Sequence, residues 1–161
     1  GEEIPQSEYE TSVEIKVDAF IPVSYIKNEF QKLDIYKRIA ELESEEEKSD
    51  MVDELLDRFG EPPKSVMNLL AIAILKAKAH RAYITEIASR GDGLRVTMYP
   101  KAQIDPAGIP AMVAGKGRKL RFVPGPKPYF EYETSGDLIE KASELVDEIM
   151  MLCTERMMTE E

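Results

Sequence analysis

The sequence holds one cysteine, Cys153, and one histidine, His80. A single cysteine excludes an internal disulfide framework, and a reducing, cytoplasmic setting is the simple reading. The same scarcity leaves no cluster of His and Cys of the kind a metal site requires. No apolar run is long enough to cross a bilayer, because the longest, 66–79, is interrupted by Asn68, Lys76 and Lys78; no membrane partner is expected. A secretory leader is not expected either: the chain opens on Gly1, Glu2 and Glu3, where a leader carries positive charge. The missing initial Met reads as the start of a piece of a longer protein.

What is present is a charged surface around a sufficient core. The length of 161 residues suits one domain, with room for a small satellite. A net charge of −10 argues against a dedicated nucleic-acid binder, since phosphate contacts need a basic face. The charge is uneven. Between Glu41 and Glu61 the only basic residues are Lys48 and Arg58, whereas Lys116, Arg118, Lys119, Arg121 and Lys127 form a basic stretch, 116–127.

Residues 1–12 are polar and without period, and read as a linker. Val13, Ile15 and Val17 alternate with charged residues, which predicts a half-buried strand. Three helices follow. Asn28 with Gln31 marks the start of the first, whose stripe is Phe30, Leu33, Tyr36 or Lys37, and Ile39 or Ala40. Ser44 with Glu47 starts the second, whose stripe is Met51, Val52, Leu55, Leu56 and Phe59, with Gly60 as a left-handed stop. Pro62 and Pro63 suit the first turn of the third, which is apolar almost all round from Val66 to Ala77 and is expected to be the most buried. The pattern then turns to β. Strands are expected at 83–88 and 94–99 around Gly91-Asp92-Gly93, and at 119–123 and 129–132 around a Pro-Gly-Pro turn, with a short helix at 106–114. Thr134 with Asp137 resembles a capping box for a last helix with stripe Leu138, Ile139, Ala142, Leu145, Val146, Ile149 and Leu152. Residues 13–153 are read as one domain and 154–161 as a frayed tail. The fold class is α+β: an N-terminal strand, three consecutive helices, a small mostly antiparallel sheet and a C-terminal helix.

The sequence offers little chemistry. His80 at the end of the third helix reads as a structural histidine, and Cys153, among Met150, Met151 and Leu152, as a small buried hydrophobe. Gly115-Lys116-Gly117-Arg118-Lys119 lacks both the glycine spacing and the Ser or Thr of a phosphate-binding loop. The carboxylates of 41–57 lack the pattern of a calcium loop. Glu54, Asp57 and Arg58 project from the second helix. Glu54 and Arg58, four apart, fit an intrahelical ion pair worth about 0.3–0.5 kcal/mol; alternatively the patch meets a complementary partner.

Three stretches carry a family likeness: Val17-Asp18-Ala19-Phe20-Ile21-Pro22 with Tyr25-Ile26; Leu33-Asp34-Ile35-Tyr36-Lys37-Arg38-Ile39-Ala40; and Asp53 through Pro63, continuing as Val66-Met67-Asn68-Leu69-Leu70. In order and spacing they resemble the TRCF domain, the C-terminal domain of bacterial transcription-repair coupling factor. The likeness runs from Val13 to Ala79 and loosens from Tyr83; where such domains commonly read Leu-Gly-Ile, this chain has Ala82-Tyr83-Ile84.

The resemblance implies a parent that is an ATP-driven DNA translocase, with ATP and Mg²⁺ in upstream motor domains and no cofactor in this domain. Such proteins displace RNA polymerase stalled at damage and recruit UvrA. Their last domain is expected to be a non-catalytic autoinhibitory clamp. It packs on the UvrB-like N-terminal domain of the same polypeptide, masks the UvrA surface and restrains the motor. The family's contact motif falls on Glu54, Asp57 and Arg58 here. Charge-dominated contacts suit a lock that must open, because salt and water compete for them. DNA contact by this domain is not expected. The rival readings are a nucleic-acid-binding accessory module using 116–127, and an enzyme built on paired carboxylates.

Overall fold

The computed structural model describes residues 8–153. The chain divides into two compact units, one of Lys16–Ala77 and one of Gly1–Ile15 with Lys78–Glu161.

The first unit is helical. Helix α1 spans Glu29–Ala40, α2 Glu45–Phe59 and α3 Lys64–Arg81, the last turn of α3 belonging to the second unit. Their starts follow the sequence. The Asn28 side chain accepts from the Gln31 N–H at 3.0 Å, and the Ser44 hydroxyl accepts from the Glu47 N–H at 3.1 Å. Gly60 ends α2 at φ +90° and ψ −172°. That is an extended conformation reserved for glycine rather than the expected left-handed helical one. Pro62 and Pro63 lie outside α3, correcting their expected place in its first turn. Pro63 instead caps the helix, its carbonyl accepting from Val66 and Met67 at 3.0 and 3.1 Å.

The core of this unit gathers Ile21, Ile26, Ile35, Ile39, Met51, Leu55, Val66 and Leu70. Two expected stripes shift. On α1 the buried pair is Ile35 and Ile39, four apart, while Phe30 is 84% and Leu33 64% exposed. Leu33 stands two residues from Ile35, about 200° round the helix, and so faces away. On α2 Leu55 is buried and Leu56 is 52% exposed, one position round. In α3, every residue of 65–80 except Lys76 is buried or partly buried. The segment before α1 is pinned by polar contacts. The Phe20 N–H donates to the Ser65 carbonyl at 3.2 Å and the Ile21 N–H to the Tyr36 hydroxyl at 2.8 Å. Asn68 donates to the Asp18 carbonyl at 2.9 Å.

The second unit holds one five-stranded sheet in the order β1-β2-β3-β5-β4: β1 Ser12–Glu14, β2 Ile84–Arg90, β3 Gly93–Met98, β4 Leu120–Val123 and β5 Tyr129–Glu133. β1 pairs parallel with β2 and every other pair is antiparallel. The expected strand at 13–17 begins one residue earlier and leaves the ladder after Glu14, although its alternation continues to the buried Ile15. The β2–β3 turn places Gly91 at φ +48°, suiting a tight hairpin. A 3₁₀ turn, Pro106–Gly108, leads into α4, Ile109–Gly115. Helix α5, Leu138–Met150, buries Ile139, Ala142, Leu145, Val146 and Ile149. Its cap is Asp137, which accepts from the Glu140 N–H at 3.1 Å. Thr134 has no part in that cap; its N–H donates to the Asp92 carbonyl at 3.0 Å.

Of the expected linker, residues 1–7 lie outside the described residues, as does the expected tail. Within 8–12, Tyr9 and Thr11 are buried. The Thr11 hydroxyl has one proton, which goes to the Ile84 carbonyl at 2.6 Å. His80 Nδ1, 2.8 Å from the same oxygen, is therefore the donor in that contact. Tyr9 stacks on Tyr99 with ring centroids 4.7 Å apart. No helix among the described residues is long and apolar enough to cross a membrane.

Tyr83 joins α3 to β2 at φ +63°, the only non-glycine at positive φ among the described residues. A bulky residue there costs about 1–2 kcal/mol of backbone strain. Its ring is 1% exposed and its hydroxyl has no hydrogen-bond partner among the described residues. Tyr83→Phe is therefore expected to leave stability unchanged or raise it by up to about 1 kcal/mol in urea denaturation. Leu55→Ala should cost about 2–5 kcal/mol by the same measurement, and Leu56→Ala less than about 1 kcal/mol, reversing the equal weight their sequence pattern gives them.

Candidate protein-interaction site

Glu54, Asp57 and Arg58 all lie on α2, but the structure gives them different surroundings. Glu54 is gripped by two arginines. Arg38 of α1 donates through both terminal nitrogens, Nη1 to Oε2 and Nη2 to Oε1, each at 2.6 Å. Arg58, one turn along α2, donates to Oε2 at 2.8 Å. The carboxylate thus has three of its roughly four lone-pair positions filled from within the chain. The hydrogen bonds from Arg38 and then Arg58 hold its pKa down to about 2, against a desolvation effect of opposite sign. The same pairing raises the pKa of Arg38.

Arg58 also lies over the Phe59 ring, 4.9 Å from its centroid. Phe59 packs against Tyr25 at 5.9 Å between ring centroids, and the Tyr25 hydroxyl donates to the Gly60 carbonyl at 2.8 Å. The end of α2 is therefore fixed by aromatic packing and a tyrosine tether to the segment before α1. Asp57 is exposed and makes no hydrogen bond or ion pair among the described residues. The free anion of the patch is Asp57, not Glu54.

Arg38 is the member the sequence did not assign. It stands within the quoted stretch 33–40, but its partner is 16 residues away on another helix, and no local spacing rule pairs them. Both arginines retain donors, so the patch can offer guanidinium N–H groups to carboxylates or carbonyls and the Asp57 carboxylate to a cation. No group of three or more His, Cys, Asp or Glu that could hold a metal ion occurs among the described residues. His80 and Cys153 belong to the second unit. Cys153 is buried, its Sγ 3.7 Å from the Ile149 carbonyl oxygen.

Comparison with known proteins bears on what this patch belongs to. The family model of the TRCF domain matches residues 15–109. The chain belongs to the TRCF domain family. A transcription-repair-coupling factor of Bacillus subtilis is 31% identical over 153 residues, 93% of this chain and 13% of that protein. One from Staphylococcus haemolyticus is 39% identical over 93 residues, 58% of this chain and 8% of that protein. The chain thus spans a small part of the length of these relatives. A crystal structure of the C-terminal domain of transcription-repair coupling factor shares the fold, with a TM-score of 0.65 over 91% of this chain and 96% of that one, at 19% identity.

In this TRCF domain the family-like residues before α1 and along α3 mostly build the helical core, whereas Arg38, Glu54, Asp57 and Arg58 meet solvent. Because the folded Glu54 carboxyl lies below its ordinary value, its contribution to stability is complete above the ordinary carboxylate range. It is lost as the pH falls toward about 2. Glu54→Gln is therefore expected to be less stable than the parent at neutral pH and to converge with it near pH 2. Urea midpoints compared across that range check the sign, and a constant difference would mean the carboxylate charge is irrelevant.

Proposed function

We propose that this TRCF domain is a non-catalytic autoinhibitory module of a transcription-coupled repair translocase. In this reading it packs on the UvrB-like N-terminal domain of its own polypeptide, masks the surface UvrA would use and restrains the motor. The parent then displaces RNA polymerase stalled at DNA lesions and recruits nucleotide excision repair, and ATP and Mg²⁺ serve its motor domains.

The observation that carries the reading is the state of the α2 patch. Asp57 stands exposed and unpartnered among the described residues, beside guanidinium groups already held in place by Glu54. A surface ordered before the partner arrives loses little side-chain entropy on docking. Glu54 acts from within: it holds Arg38 and Arg58 at one spacing, while Asp57 and the remaining guanidinium donors make the contact. The partner face should then carry a cation opposite Asp57 and carboxylate or carbonyl oxygens opposite the arginines. Such contacts weaken with salt, as a releasable lock requires. Within one polypeptide the effective concentration is high, so each contact can be weak.

The test is binding of this chain to the UvrB-like region of its parent. Wild type should bind, less tightly as salt rises. The triple variant Glu54→Ala, Asp57→Ala, Arg58→Ala should lose at least about tenfold in affinity, about 1.4 kcal/mol. Asp57→Ala alone should weaken binding without changing the urea midpoint, because Asp57 supports nothing in the fold. No binding at low salt, or equal binding by the folded triple variant, would remove this surface from the lock.

A further inference from the structure

The sheet unit carries a second charged surface that the α2 patch does not use. Its strands bring distant residues into rows. Arg90 pairs in register with Gly93 and Gly93 with Glu133, and the Glu133 N–H donates to the Lys119 carbonyl at 2.7 Å. Two residues further in along each strand, Arg95, Glu131 and Arg121 lie side by side on β3, β5 and β4. Alternate residues share a face, so both rows lie on one side of the sheet. Beside them opens a cleft of about 290 Å³, lined by Arg90, Arg118, Lys119 and Arg121 with Asp92, Glu131 and Glu133.

The cations of this region differ in what they have left to offer. Glu131 is held by Arg95, with Nε at 3.1 Å, and by Arg121 at 2.9 Å, and those hydrogen bonds lower its pKa. Lys116 is drawn away to Glu148 at 3.0 Å and over the Tyr132 ring at 5.6 Å. Lys127 is not part of the cleft lining. Arg90, Arg118 and Lys119 are exposed and have no side-chain hydrogen bond or ion pair among the described residues. The basic stretch of the sequence therefore loses Lys116 and Lys127 from the site and gains Arg90, which lies 26 residues or more away along the chain.

We infer that this cleft is a binding site for a nucleic-acid backbone, with Arg90, Arg118 and Lys119 as its phosphate contacts. Two features select that ligand. β2 and β4 are three strand spacings apart, about 14 Å, a span along which Arg90 and Lys119 can each meet a separate phosphate. An extended polyanion meets both. The apolar lining residues, Leu94 and Tyr132, are buried at 2% and 9% exposure. The cleft therefore offers charge and donors but no apolar anchor, which suits phosphate contacts. The chain's overall acidity weakens long-range attraction, but contacts within the cleft are set by groups nearer than the screening length of about 10 Å. Asp92 and Glu133 between the cations limit affinity, so the site serves as an accessory grip.

The measurement is fluorescence anisotropy of a short labelled DNA duplex, and of one of its strands, titrated with the whole chain at about 50 to 200 mM salt. Binding of either probe that falls with salt is expected. The variant Arg90→Glu, Arg118→Glu, Lys119→Glu should lose at least tenfold, and its duplex salt slope should shrink by about three. The three alanines in place of the three glutamates repeat the test if charge reversal disturbs folding. Lys127→Glu, outside the cleft, should bind as the parent does. The inference is overturned if neither probe binds at the lowest salt, if the folded cleft variants bind unchanged, if Lys127→Glu does as much damage, or if polyglutamate binds more tightly than DNA. Its failure leaves the α2 surface untouched, since the two tests share no residue.

Discussion

Parallel pairing between β1 and β2 is the constraint on which this topology depends. Two parallel neighbours cannot be joined by a hairpin and need a long crossover. Here the crossover is the entire helical unit, Lys16–Ala77, entered directly after β1 and left through α3, whose last turn hands the chain to β2. β1 is only three residues long, so its ladder alone would be weak. Buried side chains reinforce it, with Thr11 bonded to the Ile84 carbonyl and to His80 at the end of α3. The lone histidine of the sequence thus does structural work where the crossover closes.

Tyr83 shows how tightly that closure is specified. The chain must turn from helix to strand within two residues, Ala82 and Tyr83, and the turn uses a positive φ that glycine takes without strain. This chain fills the position with a buried ring, whose hydroxyl finds no partner among the described residues. Packing of that ring outweighs a local strain of about 1–2 kcal/mol. A tyrosine here meets a backbone requirement that glycine would meet without strain, so the turn itself is kept.

Legibility in the sequence followed the range of the interactions involved. Caps at Asn28 and Ser44 and the stripe of α5 are local, and their residues declare them. The α+β class follows from the order of such elements. Phe30, Leu33 and Leu56 misled because helical spacing identifies an apolar face without saying which of two neighbouring faces meets the core; Ile35 and Leu55 decide it through contacts with Ile21, Ile26 and α3. The parallel edge, the Arg38–Glu54 pair and the place of Arg90 in the cleft join residues 16 to 74 positions apart. No spacing rule reaches that far. Of the α2 patch the sequence supplied the position and the Glu54–Arg58 pair, but not the arginine that decides what Glu54 can do.

The two units handle charge by the same device to opposite ends. Glu54 and Glu131 are each clasped by two arginines, one from their own or a neighbouring strand or helix and one from a further element, and each is thereby held ionised. In the helical unit the clasp removes a carboxylate from an acidic surface and leaves Asp57 as the anion available to a partner. In the sheet unit it absorbs Arg95 and Arg121 and leaves Arg90, Arg118 and Lys119 as the available cations. A count of −10 for the chain conceals both outcomes, because charges satisfied inside the fold contribute little to recognition. What a partner meets is the remainder, an anion at Asp57 in one patch and three cations at Arg90, Arg118 and Lys119 in the other.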